Sequence, residues 1–110
     1  MDIRNLDAKL AIVSQPTPDA LAAFQQAGFA SIICNRPDGE APGQPPFADI
    51  AAEAARLGME ARYLPVIPGK VTAEDGAAFA ALLAELPAPV IAYCRTGNRS
   101  QTLWTLAHGL

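Results

Sequence analysis

Apolar residues fall along this chain in two alternating kinds of run. Leu10-Ala11-Ile12-Val13-Ser14, Ser31-Ile32-Ile33-Cys34 and Val90-Ile91-Ala92-Tyr93 are short unbroken blocks, the pattern of strands buried on both faces. Between them, apolar positions recur at helical spacing: Leu21 and Phe24, then Phe47, Ile50, Ala51, Ala54 and Leu57, then Phe79, Leu82, Leu83 and Leu86. Glu60 to Ile67 predicts one more strand, and Ile3 to Leu6 a short extra one near the N-terminus. A last helix starts within the stretch Cys94 to Ser100 and runs toward Leu110.

The breaks between these runs are consistent with them. Thr17-Pro18-Asp19 opens the first helix: threonine can cap free N–H groups, and proline at the first helical position loses no hydrogen bond. Gly28 and Gly58 close the first two helices. Asn35 to Pro46 is a proline-rich loop that neither helix nor sheet tolerates. Thr72 starts the third helix, and Pro87 to Pro89 stop it. Alternating strands and helices imply an α/β fold with a mostly parallel four-stranded sheet and helices on both faces. The 110 residues suffice for one domain with one site. Because the chain stops inside an apparently amphipathic helix at His108-Gly109-Leu110, it reads as a domain cut from a longer protein.

Composition narrows the chemistry. With 51% apolar and 17% charged residues the chain is of the ordinary globular kind, and a net charge of −3 argues against nucleic acid as the main partner. No run approaches the roughly 18 apolar residues of a membrane span, and no secretory signal is evident, so no membrane partner is expected and the cytoplasm is the default location. Cys34, Cys94 and His108 cannot make a four-ligand zinc site without suitably spaced carboxylates, so neither metal nor cofactor is expected.

Cys94 is the residue with chemistry to offer. It ends the last strand, at the carboxyl edge where such sheets bind ligands, and opens the stretch Cys94-Arg95-Thr96-Gly97-Asn98-Arg99-Ser100. A thiol with an ordinary pKa near ~8.5 is activated at a helix N-terminus beside arginine. Gly97 lets the backbone curl, so that the N–H groups of residues 95 to 100 can form a nest for an anion. Arg99 can close over that anion with a planar fork, Arg95 can help to hold it, and Ser100 can donate to the thiolate or to the sulfur leaving it. Only four residues separate Cys94 from Arg99, one fewer than in the Cys-x5-Arg loop of tyrosine phosphatases. The shorter loop resembles that of rhodanese sulfurtransferases, whose cradle suits a persulfide sulfur.

A wider resemblance spans essentially the whole chain. Asn35-Arg36-Pro37-Asp38-Gly39-Glu40, Gln44-Pro45 and Tyr93-Cys94-Arg95-Thr96-Gly97-Asn98-Arg99-Ser100 with Leu103-Trp104 resemble the phosphatase-like domain of the beta-lactamase hydrolase-like proteins. That family is similar in fold to dual-specificity phosphatases, which implies parallel strands ordered 1-4-2-3, not counting the short N-terminal one. It implies Cys94 as nucleophile and Arg99 as the anion-binding arginine. Family members are often fused to a sulfur dioxygenase, which the resemblance offers as a partner or neighbouring domain.

Dual-specificity phosphatases carry an acid in the loop after the third strand, and Ile67-Pro68-Gly69-Lys70-Val71 has none. Asp75 is near but fits a helix cap with Thr72. A thiolate leaving group needs little protonation, so loop length and missing acid together favour sulfane transfer. The expectation is a sulfurtransferase: Cys94 takes sulfur from a small anionic donor such as thiosulfate or glutathione persulfide and passes it to a thiol. The alternatives are a phosphatase acting on a phosphate substrate through a phosphocysteine, with Asp38 or Asp75 as acid, and a non-catalytic sulfur carrier. Arg36, Asp38 and Glu40 could contact substrate from the same rim, and Cys34, ending the neighbouring strand, could resolve an oxidised Cys94.

Overall fold

The structure is a computed structural model and describes residues 2–109. Five strands, β1 (Arg4–Asn5), β2 (Leu10–Val13), β3 (Ser31–Cys34), β4 (Glu60–Tyr63) and β5 (Val90–Tyr93), form one sheet in the order β1-β2-β5-β3-β4. Strands β2, β5, β3 and β4 are parallel, while β1 pairs antiparallel with β2 through Arg4–Ile12 and Asn5–Ala11. The four parallel strands thus follow the order implied by the resemblance. The short N-terminal strand adds an antiparallel edge, so the sheet is mixed and five-stranded.

Helices α1 (Leu21–Gln26), α2 (Phe47–Arg56), α3 (Ala73–Glu85) and α4 (Asn98–Ala107) cover both faces. Alternation along the strands divides the core. Val13, Ile32, Cys34, Ile91 and Tyr93 pack with Leu21, Phe24, Ile50 and Ala54 on one side. Leu10, Ile12, Ile33, Val90 and Ala92 pack with Phe79, Leu86 and Leu103 on the other. Every residue of β2, β3 and β5 is buried, which explains why these strands read as unbroken apolar blocks.

Three boundaries differ from expectation. Strand β4 ends at Tyr63 rather than Ile67. Beyond it, Leu64 and Val66 still donate to the Cys34 and Asn35 carbonyls, but Pro65 has no N–H to extend a ladder. Thr17 makes no side-chain cap; Pro18–Ala20 instead form one 3-10 turn before α1. Helix α4 ends at Ala107, short of Leu110, which lies outside the described residues. At Thr72 the expected cap is present, with Asp75 N–H donating to Thr72 Oγ1 at 3.2 Å and Thr72 N–H to Asp75 Oδ2 at 2.9 Å. Helices α3 and α4 pack closely at Gly76, where an added Cβ would stand 2.6 Å from Leu106 Cβ. No described helix is long and apolar enough to cross a membrane.

Candidate active site

The buried strand β5 delivers Cys94 to the carboxyl end of the sheet, where the chain turns directly into α4. Gly97 makes that turn with φ of 95°, in the left-handed region that favours glycine. Its N–H donates to Cys94 Sγ at 3.0 Å. Cys94 is 1% exposed. Burial pushes its thiol up, but the backbone N–H groups of Ser100, Arg99, Thr96 and Gly97 outweigh it and leave the pKa below its ordinary value. Arg99 and Ser100 offer free donors of the first turn of α4, and Thr96 and Gly97 offer those of the loop before it, so loop and helix start together stabilise the anion at Cys94. Asn98 also belongs to the turn, its N–H donating to Thr96 Oγ1 at 3.3 Å.

Arg99 is fixed from two sides. Its Nη1 donates to Glu40 Oε2 at 2.7 Å and to the Val66 carbonyl at 2.9 Å, and Nη2 donates to Glu40 Oε1 at 2.9 Å. Glu40 also accepts from Arg36 Nε at 2.9 Å, so one carboxylate joins two guanidiniums. Arg99 first, with Arg36 adding, holds the Glu40 carboxyl down at about 2. Glu40 in turn raises the Arg99 pKa, and the charge of Cys94 adds to the effect. The guanidinium is thereby held as a full cation beside the thiolate.

Not every expected residue reaches the nucleophile. The Ser100 hydroxyl donates to Asn35 Oδ1 at 2.8 Å, so its hydrogen is spent there and Ser100 reaches Cys94 through its backbone N–H. Asp38 Oδ1 accepts from Phe47 N–H at 2.8 Å and so holds the start of α2. Asp75 is taken up in the α3 cap. Arg36 is buried, with Nη1 on Gln15 Oε1 at 3.2 Å. Arg95 is exposed beside Cys94. Both cysteines are free; Cys34 lies in an apolar cluster, donates to the Arg36 carbonyl at 3.2 Å, and has its thiol pKa raised by burial.

Two contributors, Asn35 and Arg4, escaped sequence reasoning, and Glu40, expected at the rim toward substrate, has a role that was not foreseen. Glu40 sits within the recognised segment but showed no sign of reaching Arg99, 59 positions away. Asn35 accepts from Ser100 and donates Nδ2 to the Leu64 carbonyl at 2.9 Å, tying together the ends of β3, β4 and the loop. Arg4, on β1, donates to the Thr96 carbonyl at 3.4 Å from outside the loop. Two clefts flank the site: about 410 Å³ lined by Pro68, Val71, Asn98 and Arg99 among others, and about 350 Å³ lined by Arg36, Glu40, Ala41 and Arg95.

Comparison with known proteins corrects the expected chemistry. The profile of the phosphatase-like domain of beta-lactamase hydrolase-like proteins matches residues 2–110. A beta-lactamase hydrolase-like protein of Agrobacterium fabrum is 37% identical over 105 residues, or 96% of this chain and 24% of that protein. The chain therefore spans about a quarter of the length of such relatives. A solved structure from Neisseria meningitidis, titled as a candidate phosphatase, has a TM-score of 0.89 and 38% identity over 94% of this chain and 74% of its own. One from Shewanella putrefaciens, at TM-score 0.82 and 22% identity over 97% and 69%, supports the fold.

These likenesses run to phosphatase-like proteins, and the sulfurtransferase expectation is set aside. Loop length misled because it counts residues, whereas anion fit depends on where N–H groups point. With Gly97 left-handed, α4 starts at Asn98, and the donors gather on Cys94 despite the missing residue. The chain belongs to the phosphatase-like domain family of the beta-lactamase hydrolase-like proteins.

Proposed function

We propose that this domain hydrolyses phosphomonoesters through a phosphocysteine at Cys94. The observation that carries this reading is the convergence of four backbone N–H groups on a buried sulfur beside the clamped guanidinium of Arg99. The Cys94 thiolate attacks phosphorus, a sulfur–phosphorus bond forms, and the ester oxygen leaves with its electron pair and takes a proton from water. A second water then attacks phosphorus, releasing inorganic phosphate and the thiolate. The N–H nest and Arg99 stabilise the charge on the transferring group at both steps, a role worth about 10²-fold or more per donor. Asp38 accepts from the Phe47 N–H and Asp75 is part of the α3 capping box, so the leaving-group proton is assigned to water.

The test is hydrolysis of an aryl phosphate by the purified protein, with vanadate as inhibitor and Cys94→Ser as control. Vanadate-sensitive release of phosphate that the Cys94→Ser protein lacks is the expected result. Absence of hydrolysis, or equal hydrolysis by the variant, overturns the proposal.

A further inference from the structure

The 350 Å³ cleft beside Cys94 brings together Arg36, Glu40, Ala41 and Arg95. Two guanidiniums, Arg36 and Arg95, line this cleft against the one carboxylate of Glu40, which Arg99 also grips from the neighbouring cleft. Both Glu40 oxygens are already occupied by Arg36 and Arg99, so its charge is compensated before any ligand arrives. Gln15 organises Arg95 and Arg36: its N–H donates to the Arg95 carbonyl at 3.2 Å, and its Oε1 accepts from Arg36 Nη1 at 3.2 Å. The side chain of Arg95 is exposed and makes no ion pair or hydrogen bond among the described residues. Arg95 is thus an unpaired guanidinium one residue from the nucleophile on the lining of this cleft.

Building on the phosphatase reading, we infer that the substrate is a small molecule carrying a second phosphate group, which Arg95 and Arg36 receive while Cys94 attacks the first. A phosphate dianion held by the Cys94 loop draws on the N–H nest and Arg99 and leaves the positive charge of Arg95 unmatched. A second dianion matches it. Charge-assisted bonds to guanidinium are the stronger kind of hydrogen bond, and arginine meets phosphate with two parallel donors.

The test separates binding from turnover. Two probes, meta-tolyl phosphate and its meta-phosphonomethyl analogue, differ in one non-hydrolysable dianion. Their affinities for Cys94→Ser protein are measured by calorimetry at one fixed, low ionic strength. The analogue is expected to bind about tenfold tighter, a difference of ~1.4 kcal/mol. Arg95→Ala removes most of that preference, and so does Ala41→Glu, which sets a carboxylate in the cleft. Lys9→Ala, which removes the same unit charge at the opposite end of the strands, retains it. Equal affinities, no binding of either probe, or a preference untouched by Arg95→Ala overturns the inference. Turnover of meta-tolyl phosphate by the unaltered protein reports on the phosphatase reading alone, so the two can fail separately.

Discussion

Cys94 owes its lowered pKa to backbone N–H groups and not to a neighbouring base, since the burial of the sulfur works against ionisation. Activity should therefore persist below the ordinary thiol range and fall only as pH drops through the lowered pKa, which a pH profile of kcat/KM measures. Arg99→Lys keeps a charge but cannot span Glu40 and the Val66 carbonyl, and a drop in kcat of about 10²-fold is expected from steady-state kinetics. Glu40 titrates at about 2 in the fold against an ordinary 4.5, so its contribution to stability is complete above pH 4.5 and is lost as pH falls toward 2. Acid unfolding followed by circular dichroism should show that loss in the native protein and not in Glu40→Gln. Tyr93 has a buried hydroxyl without a hydrogen-bond partner among the described residues, so Tyr93→Phe should be neutral or stabilising by up to about 1 kcal/mol in chemical denaturation.

At the scale of elements, the cap and the packing contact separate structural from catalytic residues. Asp75→Ala should cost about 0.5–2 kcal/mol of stability through the lost α3 cap, with the pH profile of kcat/KM unchanged. Gly76→Ala gains up to ~1 kcal/mol in helix propensity yet places a Cβ against Leu106, and overpacking of about 1–3 kcal/mol should win; thermal unfolding decides between them. These two sites also show what the sequence made legible. The Thr72–Asp75 cap is local, and its spacing announced it. The buried strands announced themselves because both faces are covered, so no polar alternation interrupts Leu10–Val13 or Val90–Tyr93. The Arg99–Glu40–Arg36 clamp was not legible, because it depends on how a proline-rich loop folds over the sheet, and no local periodicity encodes that.

For the whole molecule, the sheet sets what the site can do. Parallel strands β2, β5, β3 and β4 bring Gln15, Cys94, Asn35 and the segment after Tyr63 to one edge, as such sheets do. Of these, the β4–α3 segment supplies the Val66 carbonyl to Arg99 but carries no carboxylate between Leu64 and Val71. Rates should therefore fall steeply as the leaving group becomes more basic, across a series of substituted aryl phosphates. The most direct measurement is intact mass after rapid acid quench of the protein turning over an aryl phosphate. The account predicts a gain of one phosphoryl group, located at Cys94 by peptide mapping and absent in Cys94→Ser. Turnover with no phosphoryl adduct, or with an adduct on another residue, would contradict it.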